Sequence, residues 1–169
     1  GDNLEQQKTQ LQQQWKQEIV QELDHALADA SRLAERQLEV SDAFRRGEVS
    51  PQVRSEQGAI KEGAERLLDR VKDIAGKNAM VSQQSSVAIA GARDQMQKAL
   101  EALSNAAPNA REAGRSSGDA VDALNAAAYT LVRSRGAVEG AGSGSGLQEA
   151  MEQMSQMAQQ QGNVGQQAG

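Results

Sequence analysis

LEQQKTQLQQQWKQEIVQELDHALADASRLAERQLEVSDAF, residues Leu4 to Phe44, decides the fold. Its apolar positions Leu11, Trp15, Ile19, Leu23, Ala26, Ala30 and Leu33 fall three or four residues apart, with Leu38 and Phe44 beyond, which places them along one face of a helix. Neither Gly nor Pro interrupts the stretch before Gly47. At 1.5 Å per residue the helix is about 60 Å long, and no later segment matches it. A long one-sided helix must be covered by several shorter ones. The expected fold class is all-α: an elongated antiparallel helical bundle or coiled coil of four long helices, plus a short C-terminal helix.

The turns are written in the residues that follow. Gly47 suits the left-handed position just past a helix end, and Ser50-Pro51 suits an N-cap followed by the first helical residue. A second helix is expected from Pro51 to Ala75, closed by Gly76, with Val53, Gln57, Ile60, Ala64, Leu67, Val71 and Ile74 forming a heptad-like seam. Gly58 and Gly63 either weaken this helix or let it approach the first one closely. A third helix fits Ser82 to Ser104 with Ala88, Ala92, Met96, Ala99 and Leu103 on its face. Asn109 and Glu112 are spaced as a capping box for a fourth helix running to about Arg135, along Ala113, Ser117, Val121, Leu124, Ala128 and Leu131. The small residues Gly114, Ser116, Ser117 and Gly118 predict a weak helix or a break before Asp119.

The expected domain organisation is a helical bundle over 1–139, a Gly/Ser linker over 140–146, a short Met/Gln-rich helix over 147–161 and a disordered tail over 162–169. The chain opens on Gly-Asp without an initiator Met, so it is expected to be an excised or processed piece.

The composition limits the core and the chemistry. Leu, Ile, Val and Met together number 33 and Ala numbers 28, so stability is expected from many shallow contacts along long seams. The 23 Gln residues gather at the two ends. A net charge of −5 without a basic half argues against nucleic acid; the dense cationic spots, Arg45-Arg46 and Arg133 with Arg135, read as cations at helix C-termini. The absence of Cys removes disulfides and thiol chemistry. No apolar run is long enough to span a bilayer, so any membrane anchor would lie in segments outside this chain.

Catalytic signals are weak. Glu22-Leu-Asp-His25 has the Glu-x-x-His spacing of di-iron bundles, yet such a site needs a second copy and His25 is the only histidine. A solvated stripe is the better account. The carboxylate pairs Glu18 with Glu22 and Glu35 with Glu39 read as exposed helix charge. Gly140 to Gly146 lacks the Lys-Ser/Thr ending and the preceding strand of a phosphate loop. No catalytic, cofactor-binding or metal-ligating residues are therefore assigned, no cofactor and no small-molecule substrate are expected, and the chain is not expected to be an enzyme.

The residues left over are adhesive. Trp15 fits a seam position, with an interface anchor as its alternative; Ile19 continues that face. Leu147, Met151, Met154 and Met157 would give the last helix an adaptable apolar side. These six are the candidate interface, with a protein partner or self-association expected.

The Gln-rich first helix, the segment from Gln57 to Arg70 (QGAIKEGAERLLDR), Ala120 to Asn125 (AVDALN) and Gly142 to Met157 (GSGSGLQEAMEQMSQM) together resemble the helical region of large uncharacterised bacterial membrane-anchored proteins. The resemblance implies an extracytoplasmic, cell-envelope location and a structural or interaction role. It supplies no catalytic residues. The alternative function from the residues alone is an amphipathic helical protein that binds lipid, granule or apolar client surfaces.

Overall fold

The computed structural model describes residues 2–141. Four helices follow one another: α1 (Asp2–Arg45), α2 (Pro51–Lys77), α3 (Gln84–Ser104) and α4 (Ala110–Gly140). Each packs antiparallel to its successor, and α4 returns to lie antiparallel on α1. The arrangement is a square in which α1 meets α2 and α4 while α3 meets the same two from the far corner. The expected linker over 140–146 begins at the last residue of α4 and its cap, Ala141; residues 142–146, the short helix over 147–161 and the tail over 162–169 lie outside the described residues.

Each corner has a local cause. At the end of α1, Glu48 N–H donates to the Ala43 carbonyl and Gly47 N–H to the Phe44 carbonyl, with Gly47 at φ 83. This is the Schellman pattern, and the left-handed residue is a glycine because a Cβ would be strained there. Ser50 then caps α2 by accepting from Val53 N–H, ahead of Pro51. α2 does not stop at Gly76; it runs to Lys77 and is closed by Asn78 in an extended conformation, whose side chain accepts from Met80 N–H at 2.8 Å. Val81, 3% exposed, plugs that corner. At the next corner Asn109 caps α4 by accepting from Glu112 N–H at 3.0 Å, and its side-chain amide donates to the Glu112 carboxylate. The Arg54 guanidinium donates to the Leu103 carbonyl at 3.0 Å, placing a cation on the C-terminal end of α3.

The core is a column of small and branched residues. Ala26, Ala30, Ala64, Ala92, Ala99, Ala113, Ala120 and Ala127 lie among Ile60, Val71, Ile89, Met96, Leu124 and Leu131, all essentially inaccessible to water. One polar knot crosses it. Gln37 and Gln57, both 0% exposed, exchange amide hydrogen bonds at 2.7 Å, and Ser117 Oγ donates to Gln57 Oε1 at 3.3 Å.

Two expectations need correction. α4 is continuous from Ala110 and has no break before Asp119, because the small residues that weaken it alone are the ones that let it lie against α1. A Cβ on Gly114 would stand 3.4 to 3.6 Å from Arg45 and Phe44, and Ser41 Oγ donates to the Gly114 carbonyl at 3.2 Å. α4 also extends past Arg135 to Gly140, with Ala137 and Val138 buried.

The two glycines of α2 differ. A Cβ on Gly63 would sit 2.8 Å from Leu33 Cδ2, whereas Gly58 faces open space within 4 Å. Gly58→Ala should therefore stabilise the bundle by up to about 1 kcal/mol through helix propensity. Gly63→Ala should lose most of that gain to displacement of the Leu33 side chain. Paired urea titrations measure the difference; equal shifts in midpoint would rule out the close approach.

Candidate functional site

Two features remain after the core is accounted for: a free length of helix and a basic hollow. α1 is longer than anything beside it. α2 ends where Lys77 meets Glu22, and near the end of α4 Arg135 pairs with Asp24. Residues 3–15 are all exposed, and Ile19, 2% exposed, is the first buried residue of α1. The helix thus projects about 25 Å beyond the bundle, across roughly 17 residues. Along it Leu4, Leu11 and Trp15 are 63%, 64% and 47% exposed, and Trp15 stands one turn before Ile19 on the stripe that forms the core.

That placement separates the candidate interface residues. Trp15, 47% exposed, does not fill the seam position expected of it against another described helix. The register itself is right; the helices that would cover it end too soon. Ile19 belongs to the bundle core and is not available at a surface. Leu147, Met151, Met154 and Met157 lie outside the described residues.

At the base of the projection the charges interlock. Lys77 reaches Asp73 at 3.0 Å and Glu22 at 3.4 Å, and its pKa is raised, first by the hydrogen bond to Asp73 and then by the charges of Glu22 and Asp73. A raised lysine contributes stability fully below its ordinary value of 10.5 and loses it only as pH climbs through the raised one, so the contact persists through neutral pH. Arg135 is raised in the same way, first by its hydrogen bond to Asp24. His25 is exposed and borders a shallow depression with Glu22, Arg70, Asp73 and Ile74. Among the described residues no group of three or more His, Cys, Asp or Glu side chains could hold a metal ion.

The second feature lies between α1 and α2. A hollow of about 220 Å³ is lined by Asp29, Arg32, Leu33, Arg36, Gly63, Arg66, Leu67 and Arg70. Gly63 forms part of its wall, where Leu33 packs so closely that an added Cβ would meet its Cδ2 at 2.8 Å. Asp29 accepts from Arg70 at 2.9 Å and from Arg32 at 3.3 Å; Arg36 and Arg66 have no carboxylate within 4.0 Å among the described residues. A smaller set of cations, Arg45, Arg111 and Arg115, gathers at the opposite end beside Phe44 and Ala110.

Reading the charge by halves of the chain hides the hollow, because its four arginines share their half with more acidic than basic residues. A signal was nevertheless present. Residues 32–36, RLAER, and residues 66–70, RLLDR, repeat one pattern of Arg-Leu-x-acid-Arg. On antiparallel neighbours the two copies face each other, with the arginines flanking Leu33 and Leu67.

The fold and these surfaces define a four-helix bundle with one projecting helix. Comparison with protein-family models, with curated proteins and with solved structures finds no match to this chain.

Proposed function

We propose that the chain is a non-enzymatic structural module that joins two copies of itself through the projecting part of α1. The observation that carries the proposal is the length of α1: its core stripe continues for about 25 Å with none of the described residues packed on it. An isolated helix of this length is marginal in water, so a mate for the exposed face would stabilise the helix as well as the contact.

The residues favour a second copy as that mate. With two projections antiparallel and Leu4 level with Trp15 of the other copy, each apolar residue near an end meets one on the mate. In the same register Glu5 lies level with Gln14 and Lys16 with Asn3 of the mate, which leaves Glu5 and Lys16 about 3 Å apart along the axis, and Leu11 lies level with Lys8. The pairing is self-complementary, as a two-fold interface requires. It is shorter than a standard protein interface, as weak and transient contacts are. The resemblance to helical regions of membrane-anchored bacterial proteins supports an extracytoplasmic setting, where such modules would tie larger chains together in a coiled-coil-like contact.

Deleting residues 1–17 should leave the melting temperature within about 2 °C of the parent, since nothing in the bundle packs on them. Solution mass should show concentration-dependent dimers for the whole chain and monomers for the deletion. Trp15, the sole tryptophan, should shift its emission to the blue as dimers form. A monomer at all concentrations would end the self-association reading. A blue shift that appears only with lipid vesicles would favour an apolar surface as the mate.

A further inference from the structure

We propose that the hollow between α1 and α2 binds an anion made of linked phosphate groups, gripped chiefly by Arg36 and Arg66. The charge distribution is the first argument. Four arginines and one aspartate give the lining a charge of +3 in a chain of −5, so the remainder carries −8. Gathering four guanidinium groups in one groove opposes folding unless something offsets their repulsion. Only Asp29 does so from within. Glu35 and Asp69, the acids inside the two repeats, do not line the hollow. The pattern Arg-Leu-x-acid-Arg therefore turns cations toward the groove on both helices while its acids lie elsewhere.

The second argument is unused donors. A guanidinium offers five N–H groups in a planar fork suited to phosphate oxygens. Arg32 and Arg70 each give one nitrogen to Asp29, and neither Arg36 nor Arg66 makes a hydrogen bond to any described residue. Arg66 Nη2 lies 3.9 Å from the position a Gly63 Cβ would take, so its head group leans over the hollow.

Extent selects the ligand. Arg70 is level with its partner Asp29, and Arg36 is seven residues further along α1, which spreads the cations over about 10 Å. A single phosphate engages only one end of that row. Linked phosphates reach along it, with Asp29 repelling them from its own end and directing them to Arg32, Arg36 and Arg66. A carboxylate brings no more charge than Asp29 already supplies, whereas phosphate groups bring extra charge and more acceptor oxygens. The Leu33 and Leu67 floor offers no competing hydrogen bonds and strengthens charge attraction locally.

The test is calorimetric titration of the whole chain with sodium tripolyphosphate at low ionic strength, where screening is weak. Saturable one-to-one binding is expected, at least about tenfold weaker in Arg36→Gln/Arg66→Gln. It should be unchanged in Arg93→Gln/Arg133→Gln, which removes the same charge elsewhere on the surface. Arg36, Arg66 and Arg133 are exposed and Arg93 is half-buried, and circular dichroism melts check that each variant folds. Three results would overturn the assignment: absence of saturable binding, equal weakening by both double variants, or citrate binding as tightly as tripolyphosphate. Loss confined to Arg111→Gln/Arg115→Gln would place the anion at the start of α4 and overturn it as well.

Discussion

Phe44→Ala should cost about 3–5 kcal/mol of stability, the largest loss expected from any single truncation in the bundle. Phe44 is the sole phenylalanine, 1% exposed, at the last full turn of α1 where Gly114 brings α4 into contact. A core built largely from alanine has few long side chains that can swing in to fill a void, so the cavity should stay open. For a domain of this size the loss corresponds to a fall in melting temperature on the order of 10 °C. Leu38→Ala, on the same helix but 47% exposed, should change stability by less than about 0.5 kcal/mol. Thermal melts of the two variants make the comparison, and similar shifts would mean that Phe44 is not a core residue.

Gln57→Leu should cost about 1–3 kcal/mol, and adding Gln37→Leu should recover most of it. The single change leaves the Gln37 amide buried with no partner, and an unmatched buried polar group is what carries the penalty. Ser117 keeps its bond to the Ala113 carbonyl at 2.6 Å and is not orphaned. Replacing both glutamines removes the mismatch and turns the knot into apolar contact. The double-mutant cycle measured by urea unfolding should therefore show strong coupling. Additive effects would mean that the two amides do not act as a pair. The pair also fixes register, because a one-turn slip of α2 along α1 would separate the amides and bury both unmatched.

The fold class, the four long helices and two of the three corners were legible because their signals are local. Gly47, Ser50-Pro51 and Asn109 with Glu112 act on their immediate neighbours, and such chemistry reads directly from residue order. Leu38 shows where one-dimensional reading fails. Four residues after Leu33 comes Gln37, and helical spacing points there, but hydrophobicity draws attention to Leu38 instead. Gln37 is buried because Gln57 meets it from another helix, and no local signal announces a partner 20 positions away.

Gly114 to Gly118 failed for a related reason. Their poor helix propensity is a property of an isolated segment, while their value is the close approach to Ser41 and Phe44 of α1. The candidate site was half legible. Comparing helix lengths showed that the Gln-rich start of α1 outreaches α2, which spans about 40 Å, but not that α3 and α4 leave it exposed as well. The arginine hollow did not follow from counting charge, because it forms only when the two repeats are brought face to face.

The unbroken passage of α1 from core to projection has a geometric consequence. A flexible tether would fix only how far apart a docked mate and the bundle can be. A continuous helix fixes direction too, because each residue adds about 1.5 Å of reach and turns the face by about 100°. Lengthening α1 by one residue at the boundary near Ile19 would aim the exposed stripe at a different side of the molecule. Lengthening it by seven would restore the aim and move the mate about one nanometre away. The bundle therefore acts as the stock of a pointer, whose heading is set by residue count.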